Sequence, residues 1–109
     1  MIKVGVFYSN TEGSSNTEGS KFDMNYYCNH HMPMVRQKLG TACKNAAVEQ
    51  GIAGATAGSR PGFVAMGHLY FDSTDAFQTA FAPHAQAIMA DIPNYTTTQP
   101  TIQISEVKM

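Results

Sequence analysis

Phe63-Val64-Ala65-Met66-Gly67-His68-Leu69-Tyr70-Phe71, followed at once by Asp72-Ser73-Thr74-Asp75, is the stretch on which the architecture turns. Read at period two, Val64, Met66 and Tyr70 fall on one face and Phe63, Ala65, Leu69 and Phe71 on the other. A run apolar on both sides predicts a strand that is covered on both sides. Ser73 is a good helix N-cap and Asp75 suits a first turn, where carboxylates are favoured. The stripe that follows, Phe77, Ala80, Phe81, His84, Ala85 and Ile88, matches an amphipathic helix, which Pro83 interrupts near its middle.

Outward from this strand–helix unit, the remaining elements follow from the same periodicities. Residues 2–8 read as a strand with Ile2, Val4, Val6 and Tyr8 on one face and Gly5 and Phe7 on the other. Residues 23–39 read as a helix stopped by Gly40, with Ser20 or Asp23 available as its cap. Its predicted buried face carries Met24, Tyr27, Cys28, His31, Met34, Val35 and Leu39. Residues 43–53 contain Ala46, Val48, Gln50 and Ile52 at period two and predict a second strand, and residues 102–107 a last one. The order β-α-β-β-α-β is the split arrangement of a ferredoxin-like α+β fold, a four-stranded antiparallel sheet with two helices on one face. The opposite sheet face then asks for a second subunit, and a closed two-fold homodimer supplies it. Asn10-Thr11-Glu12-Gly13-Ser14 is repeated as Asn16-Thr17-Glu18-Gly19-Ser20, two copies being too few for a solenoid. This stretch is expected to be a surface loop in which losing one copy costs little stability, because closure entropy varies slowly with length.

Composition bounds the rest. The 109 residues form a single domain, 1–109, with enough chain for one core. With 43% hydrophobic and 14% charged residues the chain is globular, and so few charges imply a surface partly covered by a partner. Lys plus Arg number 7 against 8 Asp plus Glu, with no basic run, which argues against nucleic acid. The N-terminal apolar run turns polar too soon for a signal peptide, and no stretch approaches transmembrane length. The expectation is a cytoplasmic protein whose Cys28 and Cys43 are reduced, packed thiols.

The chemistry concentrates in Tyr26-Tyr27-Cys28-Asn29-His30-His31-Met32-Pro33-Met34-Val35. Histidine exchanges protons near neutrality, and Pro33 removes the hydrogen bond that its position would donate to Asn29, bending the helix there. His31 sits near the middle of the apolar face, while His30 lies on its flank with Tyr26. Adjacent histidines project about 100° apart, so they are not the i, i+4 ligands of a helical zinc site. No CxxC pair or carboxylate cluster compensates, and no metal is expected. No glycine-rich turn joins a strand to a helix as a phosphate site needs.

Tyr26-Tyr27 with His31-Met32-Pro33, then Tyr70-Phe71-Asp72-Ser73-Thr74-Asp75-Ala76-Phe77, then Ala90-Asp91-Ile92-Pro93-Asn94-Tyr95 resemble the EthD family in the expected order. The resemblance implies a dimeric α/β-barrel. It also implies an association with an oxygenase system in ether degradation, without an agreed catalytic role. The family's His-x-Pro pattern maps to His31 and Pro33, and its Asp-x-Pro-Asn turn to Asp91, Pro93 and Asn94. Similar barrels run unrelated chemistries, so fold alone does not assign function.

Each candidate has a packing alternative. His31 is either a core histidine or a general base or acid, with Tyr27, one turn earlier, orienting its ring or binding a substrate oxygen. Asp91 and Asn94 shape the turn after the second helix, or reach His31 by a hydrogen bond. Met34, with Met24 and Met66, can line an adaptable apolar pocket. Cys28 and His31 form an i, i+3 pair that is either packing or a thiol–imidazole couple. His84 reads as packing, and His68 as facing the dimer interface or the barrel interior.

The function these residues predict is binding of a small apolar organic molecule, with His31 as the catalytic candidate and Tyr27, Met34, Asp91 and Asn94 as substrate-binding candidates. Isomerisation, cyclisation or hydrolysis in the catabolism of organic compounds would suit them. Two alternatives remain open: a non-catalytic carrier for an oxygenase system, and a haem protein with His31 or His84 as axial ligand. No cofactor is expected under the first reading.

Overall fold

Four strands pair as predicted: β1 (Ile2–Ser9), β2 (Asn45–Gln50), β3 (Phe63–Phe71) and β4 (Thr101–Glu106). The structure is a computed structural model describing residues 1–10 and 22–109, so the duplicated stretch beyond Asn10 lies outside the described residues. The spatial order is β2-β3-β1-β4 with every neighbouring pair antiparallel, the ferredoxin-like sheet. Two interrupted helices, α1 (residues 24–39) and α2 (residues 74–90), supply the crossovers.

Register fixes what each face carries. Val4 lies opposite Leu69 and Ile104, Val6 opposite Gly67 and Ile102, and Tyr8 opposite Ala65, so these residues share the helix-covered face. Ala46 and Val48 extend that face across β2. The core beneath the helices joins Val4, Tyr8, Ala65, Leu69 and Phe71 to Tyr27, Val35, Leu39, Phe77 and Ile88. On the opposite face, Phe7 faces Met66, Lys3 faces Tyr70, and Gly5 faces His68. Gly5 is required there: a Cβ would strike the ring of Phe7, which folds back over it.

Helix α1 departs from the predicted regular helix. Asp23 caps it by accepting from the Tyr26 N–H at 3.0 Å, but after Met24–Tyr26 the chain makes a π turn over Tyr27–His31. The α-helix resumes as Met32–Leu39 and ends at Gly40, φ 66°. The Met32 N–H bonds to Tyr27 O, an i→i+5 bond. The next residue, Pro33, has no N–H and cannot close an α turn on Asn29. The opening lies upstream of the proline, and its extra residue turns the predicted face. Tyr27, His31, Met32, Val35 and Leu39 are buried, whereas Cys28 is exposed. The thiol–imidazole pair is therefore not formed, and of the two free cysteines only Cys43 is packed.

Elsewhere the differences are at boundaries. Strand β2 stops at Gln50, short of the predicted residue 53, because Gly51 turns tightly against the Phe63 carbonyl, and Ile52 is left 90% exposed. Strand β4 begins and ends one residue earlier than expected. Ser73 caps α2 through a 3.0 Å bond from the Ala76 N–H. The helix runs Thr74–Phe81, tightens to a 3₁₀ turn over Ala82–His84 around Pro83, and continues as Ala85–Ala90.

Candidate functional site

The π turn is what brings the site together. In an α-helix, residues four apart are offset by about 40° around the axis. A wider turn brings them closer to one line, and the rings of Tyr27 and His31 stack at 5.5 Å with an interplanar angle of 14°. Both side chains then point at the sheet. Tyr27 can approach because Gly67 has no side chain; a Cβ there would collide with the Tyr27 hydroxyl.

The second component is the turn after α2. Asp91 is followed by a 3₁₀ turn over Ile92–Asn94, whose i, i+3 spacing eclipses side chains and places Asn94 beside Asp91. Asn94 Nδ2 donates to Asp91 Oδ1 at 2.9 Å, and the Tyr26 hydroxyl donates to the same oxygen at 2.7 Å. The other carboxylate oxygen lies 2.9 Å from His31 Nδ1. Tyr95, the next residue, puts its hydroxyl 3.4 Å from His31 Nε2 and 2.6 Å from the hydroxyl of Tyr8 on β1. The turn is anchored to the start of α1 by the Asp23 N–H donating to Tyr95 O and by a bridge between Phe22 and Thr96.

The electrostatics follow from this packing. Burial would raise the Asp91 carboxyl, but hydrogen bonds from Tyr26, Asn94 and His31 outweigh it and hold it below the usual carboxylate value. Burial lowers the His31 imidazole below its ordinary value despite the pull of Asp91, so the ring is neutral at pH 7. With Asp91 ionised, Nδ1 carries the hydrogen and Nε2 the lone pair. Burial pushes the phenols of Tyr8, Tyr27 and Tyr95 far above their ordinary value, and they stay protonated. The bond to Asp91 likewise raises Tyr26.

These groups border a cavity of about 200 Å³ between the sheet and the two helices. Its wall is made by Val4, Val6, Leu69 and Ile102 from the sheet, Met32 and Val35 from α1, and Phe77, Phe81 and Ile88 from α2. The polar side chains on it are Tyr8, Tyr27 and His31, and no charged side chain lines it. The β4 side is thinly covered, with Ile102 45% and Ile104 38% exposed.

With this geometry in view, comparison with known proteins gives one family. The EthD domain matches residues 19–99, most of the chain. The protein belongs to the EthD family. Among solved structures, an EthD-like protein from Ralstonia eutropha JMP134 is 46% identical, over 99% of this chain and 92% of that one, with a TM-score of 0.88. An ethyl tert-butyl ether D (EthD) family protein from Bacillus halodurans C-125 is 19% identical, over 99% of both chains, with a TM-score of 0.69. That second likeness bears on the fold alone. No curated protein matches the chain.

In this EthD domain, His31 and Tyr27 reach the cavity wall, whereas Asp91 and Asn94 stand behind His31 rather than on the wall. Met34, expected at the pocket, is half-buried against the core, and the extra residue of the π turn gives its place to Met32. Tyr8 and Tyr95 were not singled out as site residues from the sequence; a phenol on a core-facing strand and another ending the Asp91 turn were the available signals. His30 is exposed and lies against Tyr26, their ring centroids 5.0 Å apart. His68 is buried on the far face of the sheet, with Nε2 3.3 Å from Glu49. The described residues hold no group of three His, Cys, Asp or Glu close enough for a metal ion. A haem fits poorly at His31: Asp91 holds Nδ1, Tyr95 covers Nε2, and the cavity is below the roughly 300 Å³ at which drug-sized sites begin. No helix among the described residues is long and apolar enough to cross a membrane.

Proposed function

We propose that this EthD domain binds a small, largely apolar organic molecule in the cavity beside α1 and acts on it by proton transfer, with His31 as general base or acid. The observation that carries this reading is the placement of His31 at the polar end of an apolar cavity, with Nδ1 fixed by an ionised carboxylate. An imidazole held this way keeps the Nε2 lone pair as its working atom. Proton transfer by a placed histidine contributes typically about 10²–10⁴ in rate, which suits an activated substrate in an isomerisation, cyclisation or hydrolysis. Tyr27 contacts the molecule, while Asp91 and Asn94 orient His31.

The working unit is a homodimer closed over the sheet face opposite the helices, where Phe7, Val64, Met66 and Tyr70 are only half-covered. The family's name, from ethyl tert-butyl ether, supports a place in cytoplasmic catabolism of organic compounds beside an oxygenase system. A carrier that binds without turnover uses the same cavity, and the burial that weakens His31 as a base favours it.

A thermal-shift screen of small neutral compounds tests the reading, because a ligand selective for the native state raises Tm. No response from any molecule that fits the cavity would overturn binding. A hit consumed by the wild type and not by His31→Gln supports the enzyme; a hit left unchanged by both supports the carrier.

A further inference from the structure

The wiring behind His31 has a direction. Asp91 Oδ1 already accepts from Tyr26 and Asn94, and a carboxylate accepts only, so Oδ2 must receive the hydrogen on His31 Nδ1. Nε2 is then an acceptor, and the Tyr95 hydroxyl facing it has to donate. Having spent its hydrogen, Tyr95 can only accept at its oxygen, so Tyr8 donates across their 2.6 Å contact. Tyr27 aims its hydroxyl at Tyr8, an interaction that lowers Tyr8 and raises Tyr27, the sense expected when Tyr27 is the donor. Each phenolic hydrogen in the series is committed inward. Where Tyr8 and Tyr27 meet the cavity, only oxygen lone pairs are left.

We infer that the cavity selects an uncharged molecule bearing a hydroxyl that donates a hydrogen bond, an alcohol, enol or phenol, rather than a carbonyl compound or an ether. This rests on the reading above that the cavity holds a ligand. A hydroxyl completes the series Tyr27, Tyr8, Tyr95, His31; a carbonyl or ether oxygen sets lone pair against lone pair. The absence of a charged side chain from the wall excludes an ionic ligand, which would be buried without a partner. The same series gives His31 a route to the ligand. When the hydroxyl loses its proton to Tyr27, the Tyr27 proton passes to Tyr8, that of Tyr8 to Tyr95, and that of Tyr95 to His31 Nε2. The ligand O–H and the three phenolic O–H bonds break, the three phenolic bonds re-form, and one N–H bond forms. The ligand is left as an oxyanion and His31 as an imidazolium beside Asp91.

Titration calorimetry of the full chain with phenol, toluene and benzaldehyde separates the possibilities, since these are one ring carrying a donor, no polar group and an acceptor. Phenol is expected to bind at least about tenfold tighter than either of the others, the scale of one satisfied buried hydrogen bond. Toluene binding as tightly as phenol would overturn the hydroxyl inference while leaving the cavity reading intact. Benzaldehyde binding most tightly would mean that the series runs the other way. Failure of all three to bind would remove the inference and the cavity reading together. Tyr95→Phe supplies the check on positioning: freed of its acceptor, Tyr8 can turn its hydrogen towards Tyr27, and the advantage of phenol over benzaldehyde should collapse. A purely structural role for Tyr95 would instead weaken all three ligands alike and overturn the wiring. Should that variant not fold, the wild-type ranking alone decides.

Discussion

His31 is 4% exposed and has both ring nitrogens in contact, an arrangement with a measurable consequence in pH. Its folded value lies below the ordinary 6.5, so as pH falls the unfolded chain takes up the proton first. Stability from this group is complete above about 6.5 and erodes as pH drops towards the folded value. Urea midpoints measured from pH 8 to pH 5 should therefore fall more steeply in the wild type than in His31→Gln; parallel curves would contradict the assignment. At neutral pH His31→Gln adds no volume and should keep most of the melting temperature while ligand response falls about tenfold or more. Loss of stability with an unchanged response would make His31 a packing residue. Gly67 sets the other limit at this scale. Gly67→Ala puts a methyl group into the Tyr27 hydroxyl, with an expected cost of about 1–3 kcal/mol and weakened ligand binding, readable by denaturation and thermal shift.

At the scale of elements, the caps and stops were legible because each acts on its own neighbourhood. Ser73 announces α2 and Gly40 ends α1, and both do so in the structure. Ser73→Ala should cost about 1 kcal/mol in denaturation, with ligand binding unaltered because the cap is remote from the cavity wall. The π turn was only half legible. Pro33 signalled an opened helix, but spacing alone could not tell that the opening lies before it, because Cys28 and Met34 fit a regular apolar stripe as well as Met32 does. The Asp91–His31 contact was visible as one alternative for a turn residue. The Tyr8–Tyr95 contact was not, since the partners are 87 positions apart and meet only when β1 and the turn after α2 are packed together.

At the scale of the whole molecule, the unsettled surface is the sheet face away from the helices. The two-sided apolar pattern of β3 predicted a covered face, and one side is indeed filled by the helices. The other carries Phe7 and Phe63 with ring centroids 5.4 Å apart, next to half-buried Met66 and Tyr70. Sedimentation equilibrium at micromolar concentration should give a dimer. Met66→Asp should dissociate it, because a charge buried without a partner is strongly unfavourable. A monomeric wild type would remove the barrel.

The π turn makes helix α1 one residue longer than a regular helix would be over the same course. Ahead of it lies the Tyr26–Tyr27 pair, and behind it the Val35–Leu39 stripe that seats the helix on the sheet. Deleting exposed Cys28 or Asn29 would let the backbone close into an unbroken α-helix, with no lost side-chain packing to explain any harm. Yet the two halves would then be rotated by about 100° relative to each other. Either the aromatic pair or the aliphatic stripe could keep its place, but not both. The segment thus behaves like a reading frame: it should tolerate replacement of its outward residues far better than a change in their number.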